Sequence, residues 1–146
     1  VLQESLVLYG TVRDNLLFHR PDANDGQMLA ALEAAGCQFL LDHPDGLDRD
    51  LAEGAEDLSG GERRKFSLAS ALLRDAPFVI LDEPTSGIDA ASRTEISQLL
   101  PRFMKGKTLI VVTHDEELAS SFDRKITMQA GQIVTTSHDD QGEGSR

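Results

Sequence analysis

Cysteine is nearly absent from the sequence, since Cys37 is the one thiol among 146 residues. A single thiol cannot form an internal disulfide, so the fold does not depend on oxidising conditions. Its neighbours suggest an ordinary, partly buried side chain. Long apolar runs are absent too: "LIVV" at 109–112 is typical of the chain, and a membrane-spanning helix needs about 20 such residues. We therefore expect any link to a membrane to come through a partner.

Basic residues are also scarce. The chain has 14 Lys and Arg against 25 Asp and Glu, which gives a net charge of -11. Because contacts with phosphate backbones need a basic surface, this balance argues against a general nucleic-acid binder, and we expect no nucleic-acid partner. The sequence does hold one small basic spot, formed by Arg63, Arg64 and Lys65.

The first half of the chain has a helical pattern. Thr11 is a candidate helix cap, and a second helix is predicted to begin at Asp25 and to stop at Gly36. The chain starts at Val1 rather than Met, in a run that resembles a strand. We interpret this start as a sign that the sequence is a piece of a longer protein.

Near residue 57 the pattern changes. Ser59 and Glu62 form the S-x-x-E pattern of a capping box, which predicts a helix that begins at the intervening glycines, Gly60 and Gly61. A helix N-terminus offers unpaired amides and a partial positive charge. Glycines allow a phosphate to approach those amides, so the segment suits an anion. The alternative is a capped helix that simply begins Ser-Gly-Gly.

Two apolar runs in the second half predict a parallel sheet. "FVILD" (78–82) and "KTLIVVT" (107–113) are typical of strands buried on both faces, and the helix predicted between them ends or breaks near Pro101. A short helix and a hairpin that turns at 130–131 follow. We expect an α/β fold with a helical part at 1–76, a strand-containing part at 77–137 and a disordered tail at 138–146.

Polar residues follow both predicted strands. Asp82 stands at the carboxyl end of the first strand, where open α/β sheets bind ligands. An acid there can hold Mg²⁺, and Glu83 can polarise a water. His114 follows the second strand at the same predicted sheet edge, and a neutral imidazole can donate to a phosphate oxygen. The alternative is that the two acids and the histidine only cap turns and helices. The remaining histidines, at 19, 43 and 138, are interpreted as surface residues.

"LSGGE", "ILDEPTSGID" and "VVTHD" together, in this order, resemble the ATP-binding-cassette (ABC) ATPases. The resemblance implies a partial P-loop NTPase core with parallel strands and a helical subdomain that carries the signature motif. It also implies a role for each matching residue: Asp82 ends the Walker B strand and binds Mg²⁺; Glu83 is the catalytic glutamate; Asp89 belongs to the D-loop; His114 is the switch histidine; Gln3 is the Q-loop glutamine that senses Mg²⁺ and water; and Ser59, Gly60, Gly61 and Glu62 form the signature motif, which faces ATP on a second nucleotide-binding domain.

The phosphate-binding P-loop of this family, G-x-x-x-x-G-K-[ST], has no match in the chain. "PRFMKGKT" (101–108) ends in the right residues, but Pro101 occupies the place of the first glycine and the segment precedes a strand instead of following one. In the family the P-loop lies upstream of the Q-loop, hence before Val1. We therefore expect little ATPase activity from this chain alone.

The pattern after Gln3, "LQESLVLYGTVRDNLLF", resembles exporter-type members of the family. It implies the nucleotide-binding domain of an ABC exporter, which uses ATP and Mg²⁺ and lies at the cytoplasmic face of a membrane through a transmembrane partner. Two alternatives stay open: a soluble ABC ATPase of translation or DNA maintenance, and a non-hydrolysing module that presents its signature motif to a partner's ATP. The transported substrate is not encoded in this segment.

Overall fold

The computed structural model describes residues 7–103 and 106–138 of the chain. The secondary-structure elements, in chain order, are β1 (Gly10–Thr11), α1 (Val12–His19), α2 (Asp25–Ala34), α3 (Gln38–Leu41), β2 (Asp50–Leu51), α4 (Gly60–Leu73), β3 (Phe78–Asp82), α5 (Ala90–Phe103), β4 (Thr108–Val112), α6 (Glu116–Ala119), β5 (Arg124–Gln129) and β6 (Gln132–His138). Two 3₁₀ turns, at Gly46–Asp48 and Glu53–Ala55, flank β2. The described residues divide into two compact units, one that ends at Val112 and one that begins at Thr113. The boundary proposed at 76/77 stays a prediction.

Helix α4 is the centre of the first unit. Helices α1, α2 and α5 all pack against it. Its buried face carries Phe66, Ala69 and Leu73, which recur at helical spacing. The partners fill the core with fully buried side chains such as Leu16 of α1 and Met28 of α2. The signature segment therefore begins a helix that the rest of the unit holds in place.

Capping boxes begin α1, α2 and α4. Thr11 caps α1 with Asp14, as the sequence led us to expect for Thr11. Helix α2 begins at Asp25, but the capping side chain is that of Asn24, which exchanges hydrogen bonds with Gln27. The prediction for the start of α2 was therefore right, and its cap lies one residue earlier than the helix itself.

The β3–α5–β4 segment forms the predicted parallel pair. Asp82 at the end of β3 pairs with Val112 at the end of β4. The expectation that these strands are buried on both faces is wrong for this chain, because Phe78 is 49% exposed and Val112 is 52% exposed. Within the described residues β3 and β4 form a sheet of two strands. Other described segments cover its faces only in part, since Leu81 is the one residue of the two strands that is buried. Helix α5 continues through Pro101 to Phe103.

The second unit consists of α6 and a β5–β6 hairpin. The hairpin turns at Ala130 and Gly131, both with positive φ, as a tight hairpin turn requires. This confirms the predicted hairpin. His138 is the last residue of β6, and the rest of the proposed tail, 139–146, lies outside the described residues.

Two minor predictions need correction. Cys37 is fully buried rather than partly buried, and burial raises the pKa of its thiol to about 12. His19 is half-buried at the end of α1 rather than at the open surface, and burial, with the nearby Arg74, lowers the pKa of its imidazole.

Candidate functional site

The N-terminus of α4 has the capped geometry that the sequence predicted. The Oγ of Ser59 accepts a hydrogen bond from the amide of Glu62 at 3.2 Å, and Oε2 of Glu62 accepts one from the amide of Ser59 at 2.8 Å. The amides of Gly60 and Gly61 stand in the first turn, where no intrahelical acceptor exists. A partial positive charge therefore gathers at this end of a 14-residue helix, and it suits an anion.

The two glycines of the motif have different surroundings. A Cβ at Gly61 would lie 2.7 Å from the Cβ of Ser92 on α5, a separation that real structures do not show. At Gly60 a Cβ would meet only the carbonyl oxygen of Gly87 at 3.6 Å and Ile88 at 3.7 Å, which are ordinary contacts. Packing within the chain therefore accounts for Gly61. It does not account for Gly60, whose missing side chain leaves room for a group from outside.

The loop after β3 begins with a residue in an unusual conformation. Glu83 has φ +47°, and only a few per cent of non-glycine residues have positive φ. Its amide donates to the carbonyl of Val112 at 2.8 Å, and its own carbonyl accepts from the amide of Ser86 at 3.1 Å. The backbone turn therefore holds Glu83 at the end of the sheet, next to Asp82. Backbone strain of this kind often occurs at functional sites.

Asp89 caps helix α5 beside the signature helix. Its Oδ1 accepts a hydrogen bond from the amide of Ser92 at 3.0 Å. Hydrogen bonds from the backbone and the side chain of Ser92 hold the pKa of Asp89 below its usual range, so the group is ionised at neutral pH. A Cβ at Gly61 would lie 3.6 Å from Oδ2 of Asp89. Asp89 and the glycines that begin α4 are therefore neighbours within one unit.

The structure brings together most of the residues that the sequence proposed. Five of them lie where α4 meets the start of α5: Ser59, Gly60, Gly61, Glu62 and Asp89. Asp82 and Glu83 lie at the end of β3 in the same unit. His114 belongs to the second unit, and Gln3 lies outside the described residues. Their placement near the acid pair stays a prediction.

Asp82 fits a single-carboxylate role toward Mg²⁺. It is half-exposed at the strand end, and the described part of the chain contains no group of three or more His, Cys, Asp or Glu side chains that could hold a metal. Mg²⁺ usually binds one or two carboxylates and completes its shell with water and substrate phosphates. That Asp82 would hold Mg²⁺ stays a prediction.

Two residues of this region were missed by the sequence reasoning. Arg64 was considered only as part of a basic spot, yet its Nη2 donates to the carbonyl oxygen of Ser86 at 3.2 Å. Ser92 was not singled out, although it stands three residues after Asp89, a spacing typical of a helix cap. Lys65 forms an ion pair with Glu95 of α5. No local sequence signal marks the Arg64 and Lys65 contacts, because each joins residues about 20 to 30 positions apart.

A parallel strand–helix–strand unit with paired acids at the strand end, joined to a capped glycine helix, defines a nucleotide-binding domain of the AAA and P-loop NTPase class. Residues 10–121 match the family model described as "AAA domain, putative AbiEii toxin, Type IV TA system", and the chain belongs to this family of AAA-type domains. The resemblance to ABC exporter ATPases is confirmed by the curated relatives.

Two relatives illustrate that likeness. The chain is 44% identical over 124 residues to the glutathione/L-cysteine transport system ATP-binding/permease protein CydC of Escherichia coli, with 85% of the chain and 22% of CydC aligned. It is 38% identical over 142 residues to the ATP-dependent lipid A-core flippase of Neisseria gonorrhoeae, with 97% of the chain and 23% of the flippase aligned. The chain therefore spans less than a quarter of the length of these relatives.

A solved structure shows the same fold. The structure of a bacterial Atm1-family ABC exporter with ATP bound superposes with a TM-score of 0.81 at 23% identity, over 93% of this chain and 24% of that one. Among residues 7–103 and 106–138, no helix has both the length and the apolar character needed to cross a membrane.

Proposed function

We propose that this chain is the signature and Walker B portion of the ATP-binding domain of an ABC exporter, and that the intact protein couples ATP hydrolysis to transport. One observation carries the proposal: the capped N-terminus of α4 packs against the loop and helix that follow Asp82 and Glu83. Two segments about 20 residues apart in sequence, each suited to a phosphate or its metal, thus belong to one unit. The names of the relatives, a permease component and a flippase, favour an exporter.

In the proposed reaction the two segments act on different parts of the nucleotide. Ser59 and the amide of Gly60 bind the γ-phosphate of ATP that a second nucleotide-binding domain holds. Glu83 orients the attacking water and accepts its hydrogen bond. Asp82 and Gln3 would hold Mg²⁺, and the bound ion would supply positive charge next to the phosphoryl group. His114 donates a hydrogen bond to a γ-phosphate oxygen.

The proposed partners follow from this arrangement. A second nucleotide-binding domain, identical or related, supplies the P-loop opposite the signature motif. A transmembrane partner or domain receives the conformational change, which places the chain at the cytoplasmic face of a membrane. Because that membrane part selects the cargo, residues 1–146 do not define the transported substrate.

One sequence feature favours the second candidate, a module that does not hydrolyse ATP by itself. The chain contains no G-x-x-x-x-G-K-[ST] segment, and that segment supplies the lysine and amides that bind the β- and γ-phosphates. We expect the isolated chain to release phosphate from Mg-ATP negligibly and to bind ATP weakly in calorimetry. Steady phosphate release that Glu83→Gln abolishes would contradict this expectation.

The proposal for the intact protein can be tested in a chimera. The 142 aligned residues of the gonococcal flippase are replaced by the corresponding residues of this chain, and ATP hydrolysis is measured. We expect an active chimera whose turnover is lost on Glu83→Gln and kept on the matched change Glu33→Gln, since Glu33 is exposed on α2. A folded chimera with no turnover, or one that Glu83→Gln leaves unchanged, would contradict the proposed function.

A further inference from the structure

Arg64 joins the signature helix to the turn that carries Glu83. Its Nη2 donates to the carbonyl oxygen of Ser86 at 3.2 Å. The amide of Ser86 in turn donates to the carbonyl of Glu83 at 3.1 Å. The two ends of the same residue, Ser86, therefore connect α4 with the backbone of the residue that we propose as the catalytic glutamate.

The turn needs such support because of its conformation. Glu83 has φ +47°, and a conformation of this kind persists only where the surroundings hold it. On one side, β4 holds it, because the carbonyl of Val112 accepts from the Glu83 amide at 2.8 Å. On the other side, α4 contacts the loop at two places: the Arg64 guanidinium donates to Ser86, and Gly60 lies beside Gly87 and Ile88.

We propose that Arg64 is a positioning residue, which fixes the Glu83 turn relative to the signature helix of the same chain. The hydrogen bond makes the signature motif and the Glu83 turn move together when a nucleotide reaches either of them. The consequence of this role for catalysis rests on the proposed function. The effect of the Arg64 hydrogen bond on the mobility of the turn can be measured without any nucleotide.

Neighbouring residues on α4 provide internal controls. Arg63 carries the same charge one position earlier and is not the donor to Ser86. Lys65 ties α4 to Glu95 of α5, so it supports a different element. Gly61 packs on Ser92, again of α5. Arg64 donates its hydrogen bond to the turn itself, and its loss should therefore affect that turn selectively.

The experiment is amide hydrogen exchange on the full 146-residue chain. Arg64→Met keeps the apolar stem of the side chain and removes its donors. We expect exchange in residues 83–88 to accelerate by about 5- to 30-fold, which corresponds to about 1–2 kcal/mol for the loss of one partly exposed hydrogen bond. Exchange in α2 should not change. Arg64→Lys, which retains a charged donor, should restore most of the protection.

Three outcomes would overturn the proposal. One is unchanged exchange in residues 83–88 of Arg64→Met. Another is an equal acceleration in Arg63→Met or Lys65→Met, because the effect would then not come from the Ser86 contact. The third is faster exchange throughout the unit with no rescue by Arg64→Lys, which would indicate general destabilisation. If the chimera is inactive but the Arg64 hydrogen bond still protects residues 83–88 from exchange, the proposed function is refuted and the positioning role of Arg64 stands.

Discussion

Substitution of the two signature glycines by alanine should have opposite effects on stability. In Gly61→Ala the new Cβ would stand 2.7 Å from the Cβ of Ser92, and overpacking of this kind destabilises by about 1–3 kcal/mol. Replacement of a helical glycine by alanine stabilises the fold by about 0.5–1 kcal/mol. The net expectation is a loss of about 0.5–2 kcal/mol. In Gly60→Ala the nearest atom is 3.6 Å away, so only the favourable helix term remains.

Urea unfolding followed by circular dichroism measures both effects. Ser92→Gly removes the atoms that a Cβ at Gly61 would meet, so the double variant should recover about 1–2 kcal/mol relative to the sum of the single changes. Ser92→Ala keeps its Cβ and should recover less. If Gly61→Ala proves as stable as Gly60→Ala, or if Ser92→Gly gives no recovery, the packing explanation for Gly61 is refuted.

Three further predictions concern the same unit. Ser59→Ala removes the cap of α4 and should lower the unfolding free energy by about 1 kcal/mol in urea, whereas Ser59→Asp should largely retain it. Hydrogen bonds from Ser92 depress the pKa of Asp89. The contribution of ionised Asp89 to the free energy of unfolding is therefore full above about pH 4 and is lost as the pH falls through the folded-state pKa. Asp89→Asn should flatten that part of the stability–pH curve. The buried thiol of Cys37, with a pKa of about 12, should react with a disulfide reagent at mildly alkaline pH only after unfolding.

Sequence reasoning succeeded where the interaction is local. The caps at Thr11 and Ser59 each connect residues three positions apart, so the pattern and the hydrogen bond coincide in sequence. The parallel pair of β3 and β4 was also predicted, because two short apolar runs separated by a helix have few other arrangements. The order of the three motifs then indicated the family.

Contacts between distant segments could not be predicted in the same way. The clash that requires Gly61 depends on Ser92, and the donor to Ser86 is Arg64, 22 positions earlier. A glycine or an arginine in the sequence does not indicate which distant residue it will contact. Strand burial was wrong for a related reason, since exposure depends on which segments pack against the faces of β3 and β4 and not on the strands' own composition.

A buried asparagine shows the same limit. Asn15 is almost fully buried in α1, where its side chain accepts from the amide of Leu8 at 2.8 Å and donates to the carbonyl oxygens of Leu8 and Thr11. The sequence marks it only as a polar residue inside a helix. In the structure its side chain bonds both the amide and the carbonyl of Leu8, as a neighbouring strand would. Buried backbone groups need such hydrogen bonds.

The central claim is that the signature motif serves ATP held by another copy, and pairs of chimeric flippase subunits test it most directly. One preparation pairs a subunit that carries Ser59→Arg with one whose P-loop lysine is replaced. The other pairs a subunit that carries both changes with an unchanged one. If the motif acts across the interface, the first preparation retains one working site of two and the second has none. Activity only in the second preparation would show that the motif acts on its own subunit's ATP and would contradict the account.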